Sequence, residues 1–401
     1  MRQGSKVRFL RLTQASRRAR VVSFIGFVAL LGVFGILGLT GCGEFFTPVN
    51  NSGTTTGSTT YAYVTNVGSG GTGGTLSEYS LTSGVLSALN GSPITLTATP
   101  TSIVVAPNNA FLYVGTNLGV FLYTIGTDGT LTEGNDDTIV YLGPTYPKSL
   151  AVDSTSSWLI VANNDSTELD ALPISPTTGV PTTSTPVSVT LTNPSATQVS
   201  LSPANTNVLV ALGTGGTNVW GFTAANSNPW SKSGTLIDLA TNSSSANAVA
   251  TDTTSTYLFI AESTTNTAAD KLRQITLSSL GTSSVTEADY TTGKGPSAIR
   301  PDLSGDYVYV TNQTDNTITG FSISAGVLTA LTDSPFATAK SPLAIAEDST
   351  KSYILTIGYG NNPNLWLYKF DSTTLGTLDV GTTITTGSAD PALSNAIALT
   401  H

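Results

Sequence analysis

The sequence predicts an all-β fold, a seven-bladed β-propeller of four-stranded antiparallel blades. Three observations carry this reading. A short strand motif recurs every 45 to 50 residues, and a second apolar element precedes most of its copies. The copies are also apolar at consecutive positions, without the alternation expected of a sheet with one face in water.

The first copy of the motif is "YAYVTN", Tyr61 to Asn66. It is echoed by "FLYVGTN" from Phe111, "WLIVANN" from Trp158, "NVLVALG" from Asn207, "YLFIAES" from Tyr257, "YVYVTNQ" from Tyr307 and "SYILTIG" from Ser352. The preceding elements include "PTSIVVAPN" from Pro100, "PKSLAVDST" from Pro147, "SANAVATDT" from Ser245, "PSAIRPDLSG" from Pro296 and "PLAIAEDST" from Pro342. In each the apolar run ends in Asn, Asp, Gly, Ser or Pro, the residues of tight turns, so each pair reads as a hairpin. Two further β-rich runs follow in most copies, such as "VFLYTI" with "TIVYLG", or "NLWLYKF" with "TITTG". Four-stranded units repeated seven times at this period indicate a propeller, whose blades bury both faces against their neighbours. The two ends of the repeat array complement each other. "YAYVTN" has no hairpin partner before it, and "PALSNAIALTH", Pro391 to His401, is a first-strand element with no second strand after it. The C-terminal strand is therefore expected to pair with the first YVTN strand and close the ring, which leaves no exposed edge there.

These strands, with connecting segments such as "GVLTALTDSPFATAKSPLAIAEDSTKSYILT", resemble the YVTN-repeat and lactonase-like seven-bladed propellers, a group that includes propeller-type 6-phosphogluconolactonases and fungal muconate cyclases. The resemblance covers residues 61–401 and implies the fold strongly. For function it is a weaker guide, because one propeller scaffold hosts unrelated activities. It implies lactone hydrolysis as one activity. For muconate cyclases it implies a channel histidine and arginine with an acid, a role that no internal histidine of this sequence can take.

Charge is unevenly divided along the chain. Seven of the sixteen basic residues (Arg2, Lys6, Arg8, Arg11, Arg17, Arg18 and Arg20) and no acids precede Cys42, leaving nine basic residues against 25 acidic ones, a net −16. So acidic a body repels phosphate backbones and excludes nucleic-acid binding. The basic N-terminus is followed by "VVSFIGFVALLGVFGILGLT" and "LTGC". This basic, apolar, small-residue order is that of an export signal, and "LTGC" resembles a bacterial lipobox in which Cys42 is lipidated. The expected organisation is a lipoprotein signal peptide over 1–41, a lipidated Cys42 and flexible Gly/Ser/Thr tether over 42–60, and the propeller over 61–401. The apolar run is also long enough to span a bilayer uncleaved. Either arrangement holds the body at a membrane outside the cytoplasm, in the cell envelope. "SRRAR" leaves twin-arginine export open beside the general route. Gly43 favours passage to the outer membrane in lipoproteins resembling those of well-studied Gram-negative bacteria.

In a propeller the loops entering the first strand of each blade and those leaving the second share one face, which is taken as the channel mouth and default binding site. The entering loops carry Lys148, Lys294, Lys340 and Asp390; the leaving loops carry Asn66, Asn117, Asn164, Glu262 and Asn312. Converging lysines could attract a carboxylate or phosphate. They could equally be solvated loop charges, and the asparagines could be turn residues. Arg300 stands in a first-strand element where other blades carry apolar or small residues, so it is expected to face the channel and to need a carboxylate or carbonyl partner.

Several motifs carry no site. "GSGGTG", Gly68 to Gly73, meets the dinucleotide glycine pattern but no helix follows it. "GNDD", Gly134 to Asp137, lacks calcium-loop spacing. His401 is the sole histidine, so a three-histidine metal centre is excluded. No metal or cofactor is expected.

The sequence thus suggests a monomeric, lipid-anchored binding or scaffold module of the cell envelope, with a small carbohydrate or anionic ligand, an envelope polymer or a protein as partner. The alternative is a lactonase-like hydrolase acting on sugar lactones, with Glu262, Lys294 and Arg300 as the candidate catalytic groups.

Overall fold

The computed structural model describes residues 59–401 except 69–70, 136–137, 239–243, 266–268, 388–389 and 392–395. The expected export signal, Cys42 and most of the expected tether lie outside the described residues, as do Ser69, Gly70, Asp136 and Asp137 of the two discarded motifs. The described residues belong to one compact unit, Thr56–His401.

Seven antiparallel sheets make up this unit, five with four strands and two with a fifth short strand. Blade 2 shows the common plan, with strands Pro100–Val105, Phe111–Thr116, Gly119–Ile125 and Leu131–Glu133 from the inside outward. Its fourth strand corrects one expectation. "TIVYLG" is not the outer strand but a return loop, bridged to the third strand only between Val120 and Tyr141. The innermost strands of blades 3 to 7 are Pro147–Val152, Gln198–Leu201, Ser244–Thr251, Pro296–Pro301 and Pro342–Glu347. Blade 1 is assembled from both ends of the repeat array. Its inner strand, Ile397–Leu399, pairs with Thr60–Val67 through Ala62↔Leu399, Tyr63↔Ala398 and Val64↔Ile397. The ring closes as the unpaired ends required.

The apolar repeats follow from this packing. Every residue of Phe111–Thr116 and of Trp158–Asn163 is buried, because each second strand lies between two neighbouring blades. The buried apolar residues fall into seven clusters, one per interface between blades; one joins Tyr63 and Leu76 of blade 1 to Ile103, Leu112 and Val114 of blade 2.

Polar residues near the start of the inner strands stitch blades 2 to 7 to one another in turn. The Thr101 Oγ1 donates to the carbonyl of Pro147 at 2.5 Å, and the Ser149 Oγ accepts from the Val199 N–H at 3.0 Å. Gln198 Oε1 accepts from the Val249 N–H at 2.8 Å, Asn247 donates to the Pro296 carbonyl at 2.8 Å, and Ser297 to the Pro342 carbonyl at 2.7 Å.

Candidate functional site

A cavity of about 480 Å³ occupies the other end of the channel, where the inner strands finish. The reading from sequence placed the mouth at the strand starts, whereas this cavity lies toward the strand ends. At the strand ends the turns also hold one another. Asn108 N–H donates to Ser156 Oγ, Ser154 N–H to Asn205 Oδ1, and Ala204 N–H to Ser255 Oγ, at 2.9 to 3.1 Å. Asn109 and His401 exchange two bonds of 2.8 Å. These contacts leave a braced rim around an open centre.

Register along the ring shows how the centre is shaped. The residues opposite Tyr63, Tyr113, Ile160, Leu209, Phe259, Tyr309 and Leu355 of the second strands are Ala398, Val104, Ala151, Ser200, Ala250, Arg300 and Ala346. Six blades present a small residue at this level, and blade 6 presents an arginine. Of these seven, Val104, Ser200, Arg300, Ala346 and Ala398 line the cavity, while Ala151 and Ala250 pack into the interfaces between blades.

Arg300 is held from one side. Its Nε donates to Glu347 Oε2 at 3.2 Å, and the same oxygen accepts the Leu303 N–H at 2.8 Å. Leu303 is placed by the turn that Asp302 organises, its Oδ1 accepting the Tyr307 N–H at 2.7 Å. The Glu347 side chain has no solvent exposure and that of Arg300 is 29% exposed. Burial pushes the Glu347 carboxyl up to about 7, against the pull of Arg300 and the Leu303 N–H. His401 is exposed as a residue, yet its ring lies against the Val105 carbonyl at 3.4 Å and lines the same cavity. Enclosure pushes its pKa down, and the nearby Arg300 charge adds to that effect. Arginine, acid and histidine thus meet at one cavity, with the acid supplied by Glu347. The sequence did carry a signal for it, since Glu347 is a charge in a first-strand element otherwise apolar.

The residues expected at the mouth are placed otherwise. Glu262 has no side-chain exposure and lies under Arg273, with Oε1 2.9 Å from Nε, while Lys271 approaches Oε2 at 3.8 Å. Burial raises its pKa, opposed by Arg273 and Lys271. The structure gives its carboxylate to these third-strand cations, not to Lys294. A comparable polar clasp recurs in other blades. Asn163 donates to Asp170 Oδ2 at 2.7 Å, and Asn312 to Thr319 Oγ1 at 2.8 Å and Thr317 Oγ1 at 3.0 Å. Asn66 donates to Ser77 Oγ at 3.3 Å. Second and third strands are thereby tied at the inner end of the blade, a role that spacing of the YVTN motif alone does not reveal. Lys294 and Lys340 are exposed, and Asn117 accepts the Thr99 N–H at 2.8 Å. Asn164 bonds Asp165 at 2.7 Å, and Asp390 accepts the Gly360 N–H at 2.8 Å. Lys148 is half-buried, which lowers its pKa against the raising effect of Asp165.

The family described as "Lactonase, 7-bladed beta-propeller" matches residues 58–389. No curated protein matches the sequence. Among solved structures, the periplasmic gluconolactonase PpgL of Pseudomonas aeruginosa superposes with a TM-score of 0.63 at 13% identity, over 86% of this chain and 99% of that one. A candidate 6-phosphogluconolactonase of Bacteroides fragilis gives 0.64 at 14% identity, over 86% and 98%. Hydrazine synthase of Kuenenia stuttgartiensis gives 0.57 at 13% identity, over 77% and 95%. At these identities the likeness is one of fold, and the differing names illustrate how little fold says of chemistry.

Proposed function

The chain belongs to the seven-bladed lactonase β-propeller family, and from that premise we propose that it is a binding module of the cell envelope whose channel cavity holds a small anion against Arg300. The carrying observation is Arg300 itself, the one long cationic side chain among six small residues at the same level of the ring. Glu347 takes only its Nε, and among the described residues no protein acceptor meets its two terminal nitrogens. That fork is the geometry that grips a carboxylate or phosphate. The export signal and "LTGC" support attachment to a membrane through Cys42, outside the cytoplasm.

Thermal unfolding of the full chain in detergent tests this. An anion at a hundredfold excess over its Kd adds about 2.7 kcal/mol, and Arg300→Gln removes the gain. Equal stabilisation by neutral sugars, or a response that survives Arg300→Gln, overturns the reading. Retention of Cys42→Ala in the membrane fraction would overturn the lipid anchor.

A lactone-hydrolysing role is the second reading, and the Glu347 carboxyl near neutrality favours it, since a general base works best near the ambient pH. Its weakness is access. The other oxygen of Glu347, Oε1, is buried with no hydrogen-bond partner, so a water must enter before it can be activated. Turnover of sugar lactones that vanishes in Glu347→Gln would establish this role over simple binding.

A further inference from the structure

We infer that the anion taken by this cavity is a monocarboxylate with an apolar body, not a polyhydroxylated sugar acid or a phosphosugar. The inference rests on the proposed binding of an anion by Arg300 and concerns the rest of the ligand. Order around the ring sets blades 2 and 3 across the channel from blade 6. The wall they give the cavity is Ile103, Val104, Val105 and Leu150, all aliphatic. Ile345, Ala346, Ile397 and Leu399 extend that surface on blades 7 and 1. Polar side chains stand at the rim instead, Ser349 on blade 7 and Thr400 and His401 at the end of blade 1 with the His401 ring against the Val105 carbonyl, and Ser200 is the one hydroxyl contributed by blade 4.

Such a cavity combines one cation and a polar rim with an aliphatic wall. A carboxylate on the Arg300 fork lets an apolar body lie on the aliphatic wall, where burial is favourable. Ring hydroxyls directed at that wall would lose water without gaining a side-chain partner. Charge argues for a single negative charge as well. Glu347 already sits 3.2 Å from Arg300, so a dianionic phosphate would bring one more uncompensated negative charge than a carboxylate into the channel of an acidic protein.

Cyclohexanecarboxylate and glucuronate form a matched pair, since each has a six-membered ring and one carboxylate, and they differ in ring hydroxyls. Calorimetric titration of the full chain in detergent should show cyclohexanecarboxylate binding at least tenfold more tightly than glucuronate. Arg300→Gln should abolish binding of both. Ala398→Leu fills the apolar side without touching the charge, and should weaken cyclohexanecarboxylate at least tenfold while the thermal midpoint shows a folded protein. Glucuronate binding as tightly as cyclohexanecarboxylate, or cyclohexanecarboxylate binding undisturbed in Ala398→Leu, overturns the apolar-body inference and leaves anion binding in place. Arg300-independent binding of both, or binding of neither, overturns the anion reading beneath it as well.

Discussion

The hydroxyl of Tyr113 in the second strand of blade 2 donates to the carbonyl of Gly179, in the outer hairpin of blade 3, at 2.6 Å. The relation recurs from blade to blade. Tyr63 reaches Gly129 at 2.8 Å and Tyr309 reaches Gly376 at 2.7 Å, while the Trp158 indole N–H meets the Ala224 carbonyl at 2.8 Å. Each tyrosine ring is fully buried in an interface between blades, and its hydroxyl latches the far edge of the next one. The hydroxyls have their pKa pushed up by burial, so they remain donors at any ordinary pH.

Removing one latch should therefore cost a buried hydrogen bond. Tyr113→Phe leaves the Gly179 carbonyl without its donor, and about 1 to 3 kcal/mol of stability should be lost. A urea midpoint unchanged within error would show the carbonyl finding another donor. Gly129→Ala should be worse than Tyr63→Phe. Its φ of +80° strains any Cβ, and that atom would lie 2.0 Å from the Tyr61 ring.

The Glu262–Arg273 pair makes a different prediction. Both side chains are at least 95% buried, and Glu262→Ala leaves Arg273 only the Asp238 carbonyl at 2.8 Å and the carboxylates of Glu287 and Asp289 at 3.8 Å, so it should cost about 3 kcal/mol, the low end for a broken buried pair. Glu262→Leu with Arg273→Met, which removes both charges, should be less destabilising than either single change. Additive losses in that double-mutant cycle would show that the pair is not a coupled unit.

Glu347 should make the protein sensitive to pH between about 4.5 and 7. Its folded pKa lies above the unfolded value, so the native state binds more protons across that interval. Stability from this group is present below pH 4.5 and declines as pH rises through about 7, by at most about 3 kcal/mol. The difference in unfolding free energy between pH 5 and pH 8 should shrink in Glu347→Gln, and an unchanged difference would assign the titration elsewhere. Protonation also frees Arg300 from its counter-charge, so anion affinity should rise as pH falls from 8 to 6. Affinity that is flat over this range would contradict that coupling.

Ring closure can be tested by deletion. The strand Thr60–Val67 takes its inner partner from Ile397–Leu399, and Thr65 and Tyr61 gain further bonds from Ala396 and Thr400. Removing 396–401 exposes a long apolar edge and one side of two interfaces. The truncated chain should aggregate or unfold at temperatures where the full chain is stable. A monodisperse truncation with an unshifted midpoint would show that closure adds no stability.

The seven repeats of apolar strand and turn, the four-stranded blades and the closing strand were legible from the sequence because each is a local pattern of period and burial. "FLYV" has no water-facing position, and only a strand packed between two sheets satisfies that. Arg300 was legible for the same reason, as a charge in a small-residue slot. Where along the channel the cavity lies was not, because its lining is assembled from six blades spread along the whole chain. The partnership of Glu262 with Arg273 was likewise hidden. It joins an acid at the end of one strand to a base on the next, and only strand register brings the two within 2.9 Å. Period and apolarity in the sequence determined the ring; where its charges meet, and so where a ligand could be held, was decided by register and closure in three dimensions.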